Sequence, residues 1–149
     1  MIQAEKTKTS EKEQVQKVIM DFFTALSKKD IKAMMACYAS EVIVFDCKPP
    51  FQTKGAVAWK HTWEACLPYF PDEFKIETRD MVIFADEHLA FAHYLFRITT
   101  ANKEHDAAQT WMRATTGLKF QQGKWRIVHE HGSLPFNPHT GLAIFSLEP

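Results

Sequence analysis

The run from Phe74 to Leu134 limits this chain most. It holds four segments in which apolar and polar residues alternate: Phe74–Phe84, Leu89–Thr100, Ala107–Gln121 and Lys124–Leu134. Alternation with period two predicts strands whose faces differ in polarity, and Ala85-Asp86-Glu87 and Gln122-Gly123 are short enough for hairpin turns. Ala101 to Asp106 is a longer polar connection. A second half given over to an antiparallel meander must have one sheet face covered.

The first half supplies the cover. Ser10 and Glu13 form a capping box, and Val15, Val18, Ile19, Phe22, Phe23 and Leu26 follow helical spacing, predicting a helix over Glu11–Lys28. Asp30 caps a short second helix whose apolar face is Ile31, Met34, Met35 and Tyr38. Glu41–Cys47 is β-branched and aromatic and reads as a strand ending at Asp46, broken by Pro49-Pro50. A third helix is predicted over Lys54–Leu67, closed by Pro68 and Pro71. The expected fold class is α+β: three helices in the N-terminal half on a strongly curved antiparallel sheet, enclosing a cone open at one end. The expected domain is single, residues 10–149, after a disordered end over residues 1–9.

Strand alternation places Trp125, Ile127, His129, His131 and Ser133 on one face of the last segment, and Arg126, Val128 and Glu130 on the other. The first face runs from apolar to polar, as a pocket lining does. His129 and His131 also have a metal-ligand spacing, with His93 or Asp46 as further donors, but no second short-spaced cluster accompanies them. No metal is expected.

Formal net charge is zero over 149 residues and no basic run occurs, which gives no footing for nucleic acid. No stretch reaches the roughly 20 apolar residues of a membrane span. Met1 to Ser10 has no apolar core of a secretory leader, and Cys37, Cys47 and Cys66 form no C-x-x-C pair. A cytoplasmic protein with free thiols is expected. No glycine-rich phosphate loop, G-x-S-x-G or H-E-x-x-H occurs, so no cofactor is expected.

The element order, with Phe22-Phe23, Ala25-Leu26 before Lys28-Lys29-Asp30, Tyr38-Ala39-Ser40-Glu41, Val44-Phe45-Asp46, Trp111 to Thr115, Gly123 to His131, Ser133 to Phe136 and Gly141-Leu142-Ala143, resembles the NTF2-like superfamily. Within it, the likeness is to the SnoaL-like and ketosteroid-isomerase-like branch. The resemblance implies that Asp46 stands where that branch carries a general-base aspartate. It also implies that Phe22 replaces a donor tyrosine and Thr116 a donor aspartate, which argues against steroid isomerisation by the familiar machinery.

Asp46, His129 and His131 are therefore the catalytic candidates, and Phe22, Trp59, Trp63, His93, Thr116 and Trp125 the ligand-lining ones. Arg97 and Arg113 are expected to act across strands or on the outer sheet face. Three readings follow. The first is a cofactor-free acid/base enzyme of isomerase, cyclase or dehydratase type acting on a small apolar carbonyl compound. The second is a ligand binder without chemistry. The third is an assembly module that pairs with itself through the sheet.

Overall fold

The computed structural model describes residues 9–149, with residues 106 and 107 described by backbone alone. Apart from Thr9, the expected frayed end lies outside the described residues. Helix α1 spans Glu11–Ser27, and both hydrogen bonds of the Ser10–Glu13 capping box form. Its buried face is Val15, Ile19, Phe22, Phe23, Ala25 and Leu26, the predicted stripe with Ala25 added and Val18 only partly buried. Helix α2, Ile31–Ala36, is capped by the Asp30 side chain, which accepts from the Ala33 N–H at 3.0 Å.

Tyr38 is not part of the α2 face. It opens strand β1, Tyr38–Phe45, which pairs with a two-residue strand β2, Thr53–Lys54. Helix α3 follows over Ala56–Cys66, and then come β3 (Lys75–Ala85), β4 (Leu89–Thr99), β5 (Met112–Gln121) and β6 (Lys124–Ser133). The six strands form one sheet in the order β2-β1-β6-β5-β4-β3. The last four make the predicted meander, but β1 runs parallel to β6. The sheet is therefore mixed and not wholly antiparallel. It is also open, with β2 and β3 as its edges.

Strict alternation fails in two of the predicted strands. In β3 the pairing with β4 shifts between Arg79 and Val82, and Asp80 sits there at φ 55°, a left-handed conformation that aspartate tolerates better than most residues. Ile76 packs toward the core before this bulge, and Met81 and Ile83 after it. In β6 the pairing with β5 shifts between Gly117 and Leu118, so Val128 is the extra residue. Bulges bend and twist the strands that carry them, which suits a sheet wrapped round one helix face.

The core sits between that concave face and the helices. Ile19, Met34, Leu118 and Ile127 are among its fully buried side chains. Helix α1 lies against β3, and α3 against β1. Among the described residues, no helix is long and apolar enough to cross a membrane.

Candidate active site

The bulge at Val128 decides what the site contains. Leu118 and Thr116 are both fully buried at 0% exposure and share the inner face of β5. Ile127 lies opposite Leu118, and Glu130 lies opposite Thr116. Directly opposed residues of an antiparallel pair point to the same face, so Glu130 faces inward with Ile127. His129 and His131 lie opposite Gly117 and Thr115 and point outward. The expectation that the two histidines share the face of Trp125 and Ile127 is thus reversed, because one extra residue shifts the period by one.

Three elements converge on Glu130. From the start of β1, the Tyr38 hydroxyl donates to the Glu130 carboxylate at 2.6 Å. From β4 and β5, the Tyr94 and Thr116 hydroxyls bond each other at 3.1 Å on the same inner face. From the end of β1, Asp46 continues the inward parity of buried Val42 and Val44, and Val44 is the register partner of Glu130.

Asp46 is 20% exposed at its side chain. It accepts from the Cys47 N–H at 2.7 Å, and Lys48 stands 3.6 Å from its other oxygen. The backbone bond before Pro49-Pro50 gives Asp46 a structural role whatever else it does.

Burial raises the Glu130 carboxyl to about 7 from 4.5, against the lowering effect of the Tyr38 hydrogen bond, and the nearby Asp46 charge raises it further. Tyr38 is pushed well above its ordinary range, first by burial and then by the Glu130 charge, and so remains an O–H donor. A carboxyl half-ionised near neutrality is suited to taking up and returning protons.

The surroundings are aromatic. Trp59 and Trp63 on α3 have ring centroids 5.4 Å apart, Trp63 meets Phe22 at 5.9 Å, and Phe22 meets the Tyr38 ring edge-on at 5.5 Å. A cleft of about 560 Å³ lies where the segment after β1 meets α3, lined by Lys48, His61, Thr62, Ala65, Cys66 and Tyr69. A second concavity of about 590 Å³ lies between α1, α2 and the β5–β6 turn. Neither lining includes Glu130, Tyr38, Asp46, Trp59 or Trp63.

Of the candidates named from sequence, Phe22, Trp59, Trp63 and Thr116 share the inner side with Asp46. Trp125 is buried, but at the opposite end of β6 from Glu130, against Phe120. His93 is on the outer face, opposite Val82 and Thr115. His129 bonds the Ile43 carbonyl through Nδ1 at 2.7 Å, and both His129 and His131 meet the Phe45 ring. Arg97 pairs with Glu77 at 2.9 Å and lies over the Trp111 ring, while Arg113 donates to the Ser133 hydroxyl at 3.1 Å. Both arginines act across strands.

Besides the three histidines, sequence reasoning misplaced Glu130 and Tyr38, the pair that the inner face brings together. One signal for them exists: a lone glycine inside a strand, Gly117, often marks a bulge in the pair. Burial raises the thiols of Cys37 and Cys47 to about 11, and for Cys47 the Asp46 charge adds to this. These cysteines stay protonated and are poor nucleophiles. Among the described residues, no group of three or more His, Cys, Asp or Glu side chains is arranged to hold a metal ion.

Comparison with solved structures returns the same architecture. An NTF2-like protein of unknown function from Pseudomonas putida KT2440 is 32% identical, with 93% of this chain and 96% of that one covered at a TM-score of 0.85. A candidate dehydratase of the NTF2-like family from Streptomyces avermitilis is 12% identical, covering 84% and 96% at 0.70. A candidate ketosteroid isomerase from Shewanella frigidimarina is 18% identical, covering 78% and 92% at 0.64. These last two likenesses concern the fold alone. No curated protein matches the chain. The SnoaL-like domain profile matches residues 15–137, most of the chain. This chain therefore belongs to the SnoaL-like family, within the NTF2-like superfamily.

Proposed function

We propose that the protein is a cofactor-free acid/base enzyme of isomerase, cyclase or dehydratase type, and that its substrate is a small apolar carbonyl compound. The observation that carries this reading is the Glu130 carboxyl, raised to about 7 and bonded by the Tyr38 hydroxyl at 2.6 Å beside Asp46. In the first step the Glu130 carboxylate removes a proton from the carbon next to the carbonyl. The C–H bond breaks, an O–H bond forms on Glu130, and the electron pair moves to the carbonyl oxygen as an enolate. Glu130 then returns the proton to a second carbon of the conjugated system, restoring both enzyme and carbonyl. Asp46 acts through its charge, holding Glu130 in the range where it can do both. Tyr38 supplies a hydroxyl near where the Phe22 position lacks one. His129 and His131 are left out of this scheme because they point outward.

Exchange of the α-hydrogens of β-tetralone for deuterium tests it. Exchange above background is expected, with a rate that rises through a single ionisation near pH 7. No exchange above background, or a rate flat across that range, overturns the reading.

The outer sheet face supports self-association as well. Val82, Phe84, Leu89 and Phe91 are 40–54% exposed there, and Phe84 stacks on Phe91 at 4.9 Å. An apolar patch of this kind is the usual mark of an interface. We propose a homodimer through this face. Phe91→Glu is expected to weaken dimerisation at least tenfold by sedimentation equilibrium, and an unchanged mass, or a monomeric wild type, refutes it.

A further inference from the structure

The concavity of about 590 Å³ between α1, α2 and the β5–β6 turn takes no part in the scheme built on Glu130, yet its size is that of a small-molecule pocket. Its floor is apolar. Val18, from the stripe of α1, and Cys37, which follows α2, line it and are only partly buried. Burial raises the Cys37 thiol to about 11, so it adds no charge there. On the turn side stand Phe120 and Trp125, edge-on with ring centroids 5.5 Å apart, and Phe120 is 42% exposed. A Cβ on Gly123 would meet nothing within 4 Å, so the turn leaves the mouth open. The mouth itself is charged, with three lysines and two aspartates in the lining. Asp21 forms an ion pair with Lys17, and Asp30 accepts a hydrogen bond from the Ala33 N–H at 3.0 Å as the cap of α2. Among the described residues, Lys28 and Lys124 have no carboxylate within ion-pair distance. Lys28 comes from the end of α1 and Lys124 from the start of β6, so the two cations approach from different walls.

We propose that this concavity binds an aromatic carboxylate, its ring system against Phe120, Trp125 and Val18 and its carboxylate between Lys28 and Lys124. The site is separate from the acid/base reading of Glu130 and stands without it. Flat aromatic rings gain more from an edge-on aromatic pair than their buried area alone provides. Lysine stems lie along apolar surface and keep the ammonium at the water, which suits a ligand apolar in body and anionic at one end. A cationic ligand finds both carboxylates already engaged. A polyphosphate would set several charges beside Asp21 and Asp30 and leave the apolar floor uncovered.

The test titrates the full ¹⁵N-labelled chain with 2-naphthoate and with 2-naphthamide, its neutral counterpart of nearly the same shape. 2-Naphthoate is expected to move the Gly123 amide and Trp125 indole resonances saturably, and to bind about tenfold more tightly than the amide at low salt. Added salt should narrow that preference. Lys28→Gln and Lys124→Gln should each weaken 2-naphthoate about threefold, with 2-naphthamide binding and α-hydrogen exchange as in the wild type. Both lysines are exposed, so neither substitution disturbs the core, and the wild-type comparison of acid with amide decides without them in any case. Equal affinity for acid and amide, variants that bind 2-naphthoate as the wild type does, or shifts confined to Tyr38, Trp59 and Trp63 overturn the site. So does a resident occupant, seen without ligand as nuclear Overhauser contacts to the Trp125 indole from the residues before Thr9 or, by isotope filtering, from a second copy of the chain.

Discussion

Glu130→Gln is expected to lower α-hydrogen exchange by about a hundredfold or more, the usual contribution of a positioned base. It should also change how stability depends on pH. In the folded protein the Glu130 carboxyl titrates at about 7, against 4.5 for the free side chain. Between these values the unfolded chain has lost the proton and the folded chain retains it. The folded state binds more protons, so this group's contribution is full below pH 4.5 and is lost as pH rises through about 7. Glutamine has no such ionisation and can still accept from Tyr38. The stability difference between variant and wild type should therefore move by about 2–3 kcal/mol in the variant's favour across that window. Urea unfolding of both proteins at a series of pH values measures it. A difference that stays constant means that Glu130 is not buried as described.

Tyr38→Phe should act in the opposite sense on the same group. It removes the one hydroxyl that donates to Glu130, while the ring contacts with Phe22 remain available to phenylalanine. A hydrogen bond to a charged group contributes of order 1.5–3 kcal/mol, and here it favours the ionised form. Without it, the ionised fraction of Glu130 at a given pH below its midpoint falls by about tenfold or more. The exchange profile should shift to higher pH, which a loss of packing alone would not produce. Direct observation of the Glu130 carboxyl carbon by ¹³C NMR gives the same answer without a substrate. A midpoint that stays near that of the wild type would show that the bond contributes nothing to Glu130.

Much of the fold could be read from the residues. The stripe of α1, the capping residues Ser10 and Asp30 and the meander after Phe74 are local features, encoded within a few positions of where they act. The parallel pairing of β1 with β6 is not local. It depends on where the chain goes over the whole of the molecule, so it escaped a reading built on neighbours. The site was legible in part for the same reason. Asp46, Phe22, Trp59, Trp63 and Thr116 sit on regular stretches where spacing gives direction. Glu130 follows a one-residue irregularity, and beyond it every assignment of inside and outside is inverted. His93 lies on a strand that alternates as expected, but which of its two faces met the helices was not written in β4 alone.

The extra residue at Val128 also bears on how such a domain can change over generations. Val128-His129-Glu130-His131 presents a carboxylate to the interior and two imidazoles to the exterior. Were the insertion moved past His131 without any change of residue type, the two roles would trade places: imidazoles inside, carboxylate outside. A lineage can thus pass from one proton-transfer chemistry to another by relocating a single-residue indel, with the scaffold and the composition of the strand left as they were. Comparing relatives by column alone would miss such a passage, because aligned histidines and glutamates need not face the same way.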